Sequence, residues 1–321
     1  MNVYLTFDVE IWCNGWKQLE KNFPSAFERY VYGRSKHGEF ALPQTLRILT
    51  HHGLRGVFFV EPLFAARFGI EPLREIVNLV RGAGHEVQLH LHPEWTDEAL
   101  KPLLPNVAFK RQHLVQYDTR EQTALIAHGL RMLKAAGAPG INAFRSGSFA
   151  ANRDTYVALQ RNGVLLDSSL NLCHQVSGRD LRGSACFDAC SIVEGVTTLP
   201  ISVFEDGFGR LRPAQVGACG SAELIAAMER SARNGHRDFV IVSHNFEMLR
   251  PGRSKPDWVV VRRFHALCEH LQREASRLRV RTFGEGLRLE PVQRVPARAR
   301  VPAVATAWRH AEQLRRRWRV V

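Results

Sequence analysis

Two histidines two residues apart, His90 and His92, stand in the stretch Gly84-His85-Glu86-Val87-Gln88-Leu89-His90-Leu91-His92-Pro93-Glu94-Trp95. Val87, Leu89 and Leu91 alternate with polar residues, the period-two pattern of a short strand. Strand geometry turns His90 and His92 to one face and Leu89 and Leu91 to the other, and Pro93 ends the pairing. A lone His is more often a hydrogen-bonded core residue. Two imidazoles on one face, with Glu94 beside them, have the residue types of a metal or catalytic cluster.

Such a cluster needs a scaffold, and the chain alternates strand and helix signals at a spacing that suits a parallel sheet. Strands are predicted over Val3 to Phe7, Gly56 to Val60, Glu86 to His90, Asn142 to Arg145, Val164 to Asp167, Thr197 to Ile201, Phe239 to Ser243 and Arg279 to Phe283. Helices are predicted over Pro43 to His52, Glu71 to Ala83, Thr119 to Ala136, Asp154 to Asn162, Ala222 to Asn234 and Trp258 to Ser276. Thr119 with Gln122 reads as a capping box and Gly137 as a C-terminal stop. Polar residues follow nearly every strand: Asp8-Val9-Glu10, Glu61, His90 and His92, Arg145, Asp167-Ser168-Ser169 and His244. Packing alone would place apolar residues there, so these ends point to one rim of a barrel ringed by helices.

With 321 residues, 45% of them hydrophobic, the chain can bury a large core as one α/β domain with a tail. Its longest apolar runs, such as Val57 to Val60 and Phe239 to Val242, are strand length and far below the ~20 residues that span a bilayer. Val3 to Phe7 reads as a strand directly after Met1, with no charged leader or small-residue cleavage site, so a cytoplasmic location is expected. Six cysteines (13, 173, 186, 190, 219 and 268) lie scattered, as free thiols in a reducing compartment would.

The ordered motifs resemble those of the NodB-homology polysaccharide deacetylases, carbohydrate esterase family 4. Thr6-Phe7-Asp8-Val9-Glu10 is similar to the family's Thr-Phe-Asp-Asp and His90-Leu91-His92-Pro93-Glu94 to its His-Ser/Thr-x-x-His. Arg145-Ser146-Gly147-Ser148 resembles Arg-x-Pro-Tyr, and Ile241-Val242-Ser243-His244 the last apolar strand ending in His. The resemblance runs from about residue 3 to residue 285. It implies a distorted (β/α)₇ barrel that hydrolyses N-acetyl groups of amino sugars with a divalent metal.

Two departures redistribute the roles. Val9 replaces the family's metal-binding second Asp, so by analogy with branches that use Asp-x-Asp or Asp-x-Glu, Glu10 inherits the metal and Asp8 the general base. Glu94 stands where the distal His is expected. Either Glu94 ligates or His92 takes over, giving a metal set drawn from Glu10, His90, His92 and Glu94, with zinc favoured by a two-His, one-carboxylate site. Arg145 would pair with and orient Asp8. The backbone N–H of Ser148 would stabilise an oxyanion, and His244 would protonate the leaving amine. Glu61, Asn171 and Asn245 are rim candidates for sugar hydroxyls.

The segment from Ile11 to Leu42 carries Trp12, Trp16, Phe23, Phe27, Tyr30 and Tyr32, either to fold over the barrel mouth and stack on sugars or to form a satellite apolar cluster. Gly178 to Gly195 reads as a loop excursion. Residues 291–321 read as a separate tail after a 1–290 barrel: eight arginines stand against the single acid Glu312, and Val304, Ala307, Ala311, Leu314 and Trp318 fall on one helical face. That composition suits peripheral contact with an anionic membrane, and nothing in the barrel suits nucleic acid. The expected function is metal-dependent deacetylation of an N-acetylated amino sugar in a polysaccharide precursor or glycan. The alternatives are an allantoinase-like cyclic amidohydrolase of the same superfamily and a degenerate, glycan-binding barrel.

Overall fold

The computed structural model describes residues 1–105, 109–174, 181, 185–251, 255–284 and 289–318, with the backbone alone for 317 and 318. Part of the 178–195 excursion and the Trp318 side chain therefore lie outside the described residues. Strands β1 (Asn2–Val9), β2 (Val57–Val60), β3 (Glu86–Leu91), β4 (Ala143–Ser146) and β5 (Leu166–Asp167) are joined by β6 (Ser191–Val193), β7 (Val196–Thr198), β8 (Asp238–His244) and β9 (Arg279–Val280). The sheet runs β8-β1-β2-β3-β4-β5-β7-β6, and β9 pairs with the start of β1. From β8 to β7 every pairing is parallel. Seven parallel strands thus curl into the expected barrel, and β6 adds one antiparallel edge.

The distortion has a definite place. No ladder joins β7 to β8 among the described residues, and the segment 199–216 spans the gap. Ser202 N–H donates to Val240 O at 3.1 Å and Ala214 N–H to Ser202 O at 2.7 Å. Val242 N–H donates to Ala214 O at 2.9 Å and Val216 N–H to Val242 O at 3.2 Å. An irregular strip therefore satisfies an edge that would otherwise be bare.

Strand alternation explains why polar residues reach the rim. Val3, Leu5, Phe7 and Val9 of β1 pack outward with Val87, Leu89 and Leu91 of β3 and with Phe239 and Ile241 of β8, under the helices. The opposite set, led by Tyr4, Val57, Phe59, Val240 and Val242, fills the barrel interior. Asp8, Glu10, His90, His92, Arg145 and His244 continue that inward set at the upper end.

The helices are α1 (Leu19–Phe27), α2 (Leu42–His51), α3 (Ile70–Gly82), α4 (Thr119–Ala135), α5 (Arg153–Arg161), α6 (Ser221–Arg233), α7 (Trp258–Arg273) and α8 (Ala303–Trp318). In α7, Val260, Val261, Phe264, Leu267, Cys268 and Leu271 repeat at three and four residues and are buried, each contributing about 1.5–3 kcal/mol for a fully buried large apolar side chain. Its cap, Asp257, accepts from Val259 N–H at 3.1 Å. The cap of α4 corrects the sequence expectation by one residue. Asp118 accepts from Glu121 N–H at 2.8 Å and Glu121 accepts from Asp118 N–H at 3.0 Å, because the Thr119 hydroxyl turns to Asp154. Gly137 ends the helix at φ 104° as expected.

Residues 291–318 are packed onto the barrel, so no break in packing follows residue 290. Glu205 N–H donates to Ala299 O and Val301 N–H to Glu205 O, each at 2.9 Å. Arg309 of α8 reaches buried Glu223 at 2.8 Å and buried Asp206 at 3.2 Å. Arg263 meets Glu312 at 2.7 Å. Of the arginines read as a basic tail, Arg298, Arg309 and Arg316 pair with carboxylates of the barrel.

Candidate metal centre

Glu10 is the hub of the site. It follows β1, and Asn245, just beyond β8, holds its backbone from both sides: Glu10 N–H donates to Asn245 Oδ1 and Asn245 Nδ2 to Glu10 O, both at 3.2 Å. Asn245 Nδ2 also donates to Tyr30 O at 2.5 Å. Asn245, expected on the sugar-binding rim, is instead spent on positioning Glu10.

The Glu10 carboxylate divides its two oxygens. Oε1 lies 3.1 Å from His90 Nε2 and 2.9 Å from His92 Nε2. Oε2 accepts from the Trp12 indole N–H at 2.7 Å. Burial alone would raise this carboxyl, but the charge and hydrogen bonds of His92 and the bond from His90 hold it well below the usual carboxylate range. Each His is oriented from behind. His90 Nδ1 donates to Arg145 O at 2.8 Å, and His92 Nδ1 lies 3.3 Å from Glu94 Oε2. With each Nδ1 held from behind, both Nε2 atoms point at Glu10 Oε1, where they donate as N–H; a cation replacing those protons would meet the two Nε2 lone pairs and the carboxylate together.

The donor atoms of Glu10, His90 and His92 all lie within 4.8 Å of one another, and Asp8, Glu10 and His244 form a second such group sharing Glu10. Two imidazoles, which a cation would deprotonate at Nε2, and an ionised carboxylate make a donor set that fits a divalent cation. Of the two sequence alternatives, His92 stands beside Glu10 and His90, while Glu94 sits behind His92. The turn after β4 closes over this ring. A Cβ on Gly147 would meet His92 ring atoms and Leu91 O at 2.7 Å, so only glycine fits. Ser148 and Phe149 then take left-handed φ of 53° and 55°. Strain of this kind persists where the surroundings fix the backbone. Ser148 lines the cavity, and its N–H has no hydrogen-bond partner among the described residues.

Beneath the ring lies Arg145, fully buried. It donates to Asp8 Oδ1 at 2.7 Å, Thr6 Oγ1 at 2.9 Å, Ser168 Oγ at 3.0 Å and Ser168 O at 3.1 Å, with Phe59 stacked at 4.2 Å. Asp8 is thereby fixed at the cavity floor, opposite His244 in the β1/β8 register. His244 Nδ1 lies 3.0 Å from Glu247 Oε1. Burial would lower this imidazole, but the Glu247 hydrogen bond and the charges of Glu10, Glu247 and Asp8 raise it to about 9. Glu247 is itself held by Gln215 at 2.6 Å and Gly217 N–H at 2.6 Å.

The site opens into a cavity of ≈ 770 Å³ lined by Trp12 and Trp16 on one side, Ser148, Phe149 and His174 on another, and Lys110 and Gln215 at its margin. Trp12 packs edge-on against His92 at 4.8 Å and against Trp16 at 6.2 Å. The tryptophans of the 11–42 segment thus line the mouth, whereas its Phe23 stacks on Phe68 at 3.7 Å and joins the main core rather than a satellite cluster.

Glu61 falls outside the cavity. Its buried carboxylate accepts from Leu63 N–H at 2.8 Å and Phe64 N–H at 3.3 Å, and burial, against those hydrogen bonds, pushes it up to about 8. It caps a turn, which corrects its expected place on the rim. Asn171 is likewise buried, with Oδ1 accepting from Cys173 N–H at 3.0 Å. Sequence reasoning missed Glu247 and the link from Trp12 to Glu10. The first had a signal in its i+3 spacing from His244; the second depends on a side-chain path that no spacing reveals.

No family model matches the chain, and no curated protein matches it. Among solved structures it is similar to a "putative polysaccharide deacetylase" from Mycobacterium smegmatis, 21% identical, with a TM-score of 0.51 over 90% of this chain and 94% of that one. It also matches a CE4 family pseudoenzyme from Bacillus anthracis (14% identity, TM-score 0.40, 85% of this chain and 60% of that one). A family 4 carbohydrate esterase from Streptomyces lividans in complex with acetate matches at 13% identity and TM-score 0.37, over 93% and 97%. The last two, at these scores, add nothing to the fold assignment. Strand order, parallel register and a match along 90% of this chain and 94% of the other give this chain the fold of the mycobacterial putative polysaccharide deacetylase.

Proposed function

We propose that the protein hydrolyses the N-acetyl amide of an amino sugar, releasing acetate and a free amine, with a divalent cation held by Glu10, His90 and His92. The convergence of His90 Nε2, His92 Nε2 and Glu10 Oε1 at an open cavity, with Asp8 and His244 beside them, carries this reading. The donor set favours zinc. When bound, such a cation lowers the pKa of water and polarises a carbonyl.

The chain's own groups divide the remaining work. Asp8, fixed by Arg145 and acceptor-only when ionised, takes the proton of the attacking water. His244, kept protonated by Glu247, gives a proton to the leaving nitrogen. Ser148 lines the cavity, and its N–H would donate to developing negative charge on the carbonyl oxygen. The Trp12 and Trp16 rings offer an apolar wall to a sugar. Six unpaired cysteines support a reducing, cytoplasmic setting and hence a precursor as substrate.

Elemental analysis of the purified protein, with acetate release from a panel of N-acetyl sugars, tests this proposal. The expected outcome is close to one divalent metal per chain, lost in His90→Ala, and acetate from at least one sugar. A metal-loaded protein that releases none but opens a cyclic ureide would overturn it.

A further inference from the structure

Helix α8 is fastened to the barrel by one face and bare on the other. Ala305, Thr306 and Arg309 are buried, and Thr306 Oγ1 donates to Glu223 at 2.8 Å. On the outer face Val304, Trp308 and Leu314 are 75%, 63% and 54% exposed, with Ala307 and Ala311 exposed between them. These positions recur at three and four residues and make one apolar stripe. The hairpin tip beside the helix extends it: Phe208 is 58% exposed, its ring 6.0 Å from that of His310, and Leu211 is also exposed. A continuous apolar strip of this kind marks an interaction surface, whereas scattered exposed residues do not.

Charge selects the occupant. The carboxylates that meet α8, namely Asp206, Glu223 and Asp257, and the helix's own Glu312 are each paired with a cation. Arg210 on the hairpin and Arg315 on the helix are exposed and have no carboxylate partner among the described residues. The chain carries a formal net charge of +13. A second copy would bring like charge to this face, while an anionic surface would meet both the stripe and the arginines.

We propose that the outer face of α8 and the 208–211 hairpin tip dock the protein on an anionic lipid surface, with Trp308, Val304, Leu314 and Phe208 entering the headgroup layer and Arg210 and Arg315 meeting lipid phosphates. The helix does so while docked on the barrel, since its inner face is held by buried ion pairs.

Sedimentation of the full chain with vesicles tests this, using phosphatidylglycerol mixed into phosphatidylcholine against phosphatidylcholine alone, at low and high salt. The expected result is binding to the anionic vesicles only, weakened by salt. Trp308→Ser combined with Leu314→Ser should abolish most of it, and Arg315→Glu should weaken it by at least about fivefold, the share of one interfacial Arg. These exposed substitutions should leave the unfolding midpoint unchanged. Failure of the folded protein to bind anionic vesicles, or equal binding by the variants, would overturn the proposal. So would a dimer at sedimentation equilibrium that the same substitutions dissolve, since the stripe would then belong to a second copy.

Discussion

The Trp12 indole N–H donates to Glu10 Oε2 at 2.7 Å, leaving Oε1 alone to face His90 and His92. A glutamate has one more rotatable bond than an aspartate, and the tryptophan two residues on removes that freedom. Trp12→Phe keeps the ring against His92 but deletes the donor. Metal affinity should fall by ~10–100-fold, as for other partners behind a metal ligand, with little change in the unfolding midpoint. Competition with a chromophoric chelator measures the first, thermal unfolding the second.

Asp8 and Glu10 lie two residues apart on one face, yet their partners differ. Asp8→Asn should retain metal and lower kcat by ~10²–10⁴-fold, because the amide keeps the shape but accepts no proton. Glu10→Gln should lose metal. Equal metal loss in both variants would sink this division of labour.

His244 has its pKa raised to about 9, chiefly through Glu247 against the effect of burial. A raised folded-state pKa stabilises the fold fully below the unfolded value near 6.5 and progressively less as pH rises through about 9. If His244 donates the proton to the leaving amine, turnover should fall on the alkaline side near the same pH. Glu247→Gln should move that limb towards neutral pH. The pH–rate profiles of parent and variant check this, and an unmoved limb would assign it to another group.

Arg309 joins the last helix to Asp206 and Glu223, all three buried. Arg309→Ala leaves two carboxylates without their cation and should cost ~3–5 kcal/mol, the range for breaking a buried pair by removing one partner. Truncation at residue 290 should destabilise the fold at least as much, the reverse of what a free tail would do. Urea unfolding of the point variant decides it.

The local order of this protein was legible in its sequence. Period-two runs such as Val87-Gln88-Leu89-His90-Leu91 determined the strands, which residues face inward, and that His90 and His92 share a face; three- and four-residue spacing gave the six helices between strands, with ends zero to three residues off. The short strands at 191–193, 203–205 and 211–213 escaped because two or three residues carry no period. Tertiary structure alone decided the rest. His92 rather than Glu94 meets Glu10 because the chain turns at Pro93 and carries Glu94 behind the ring. Glu61 and Asn245 were read as rim groups from position, but their short polar side chains are captured by nearby backbone amides and carbonyls. The arginines of the last helix read as a separate basic tail because their partners, Asp206, Glu223 and Asp257, lie about 50–100 residues upstream. Spacing along the chain determines which face a residue takes; which charge meets it there is fixed only when distant segments pack.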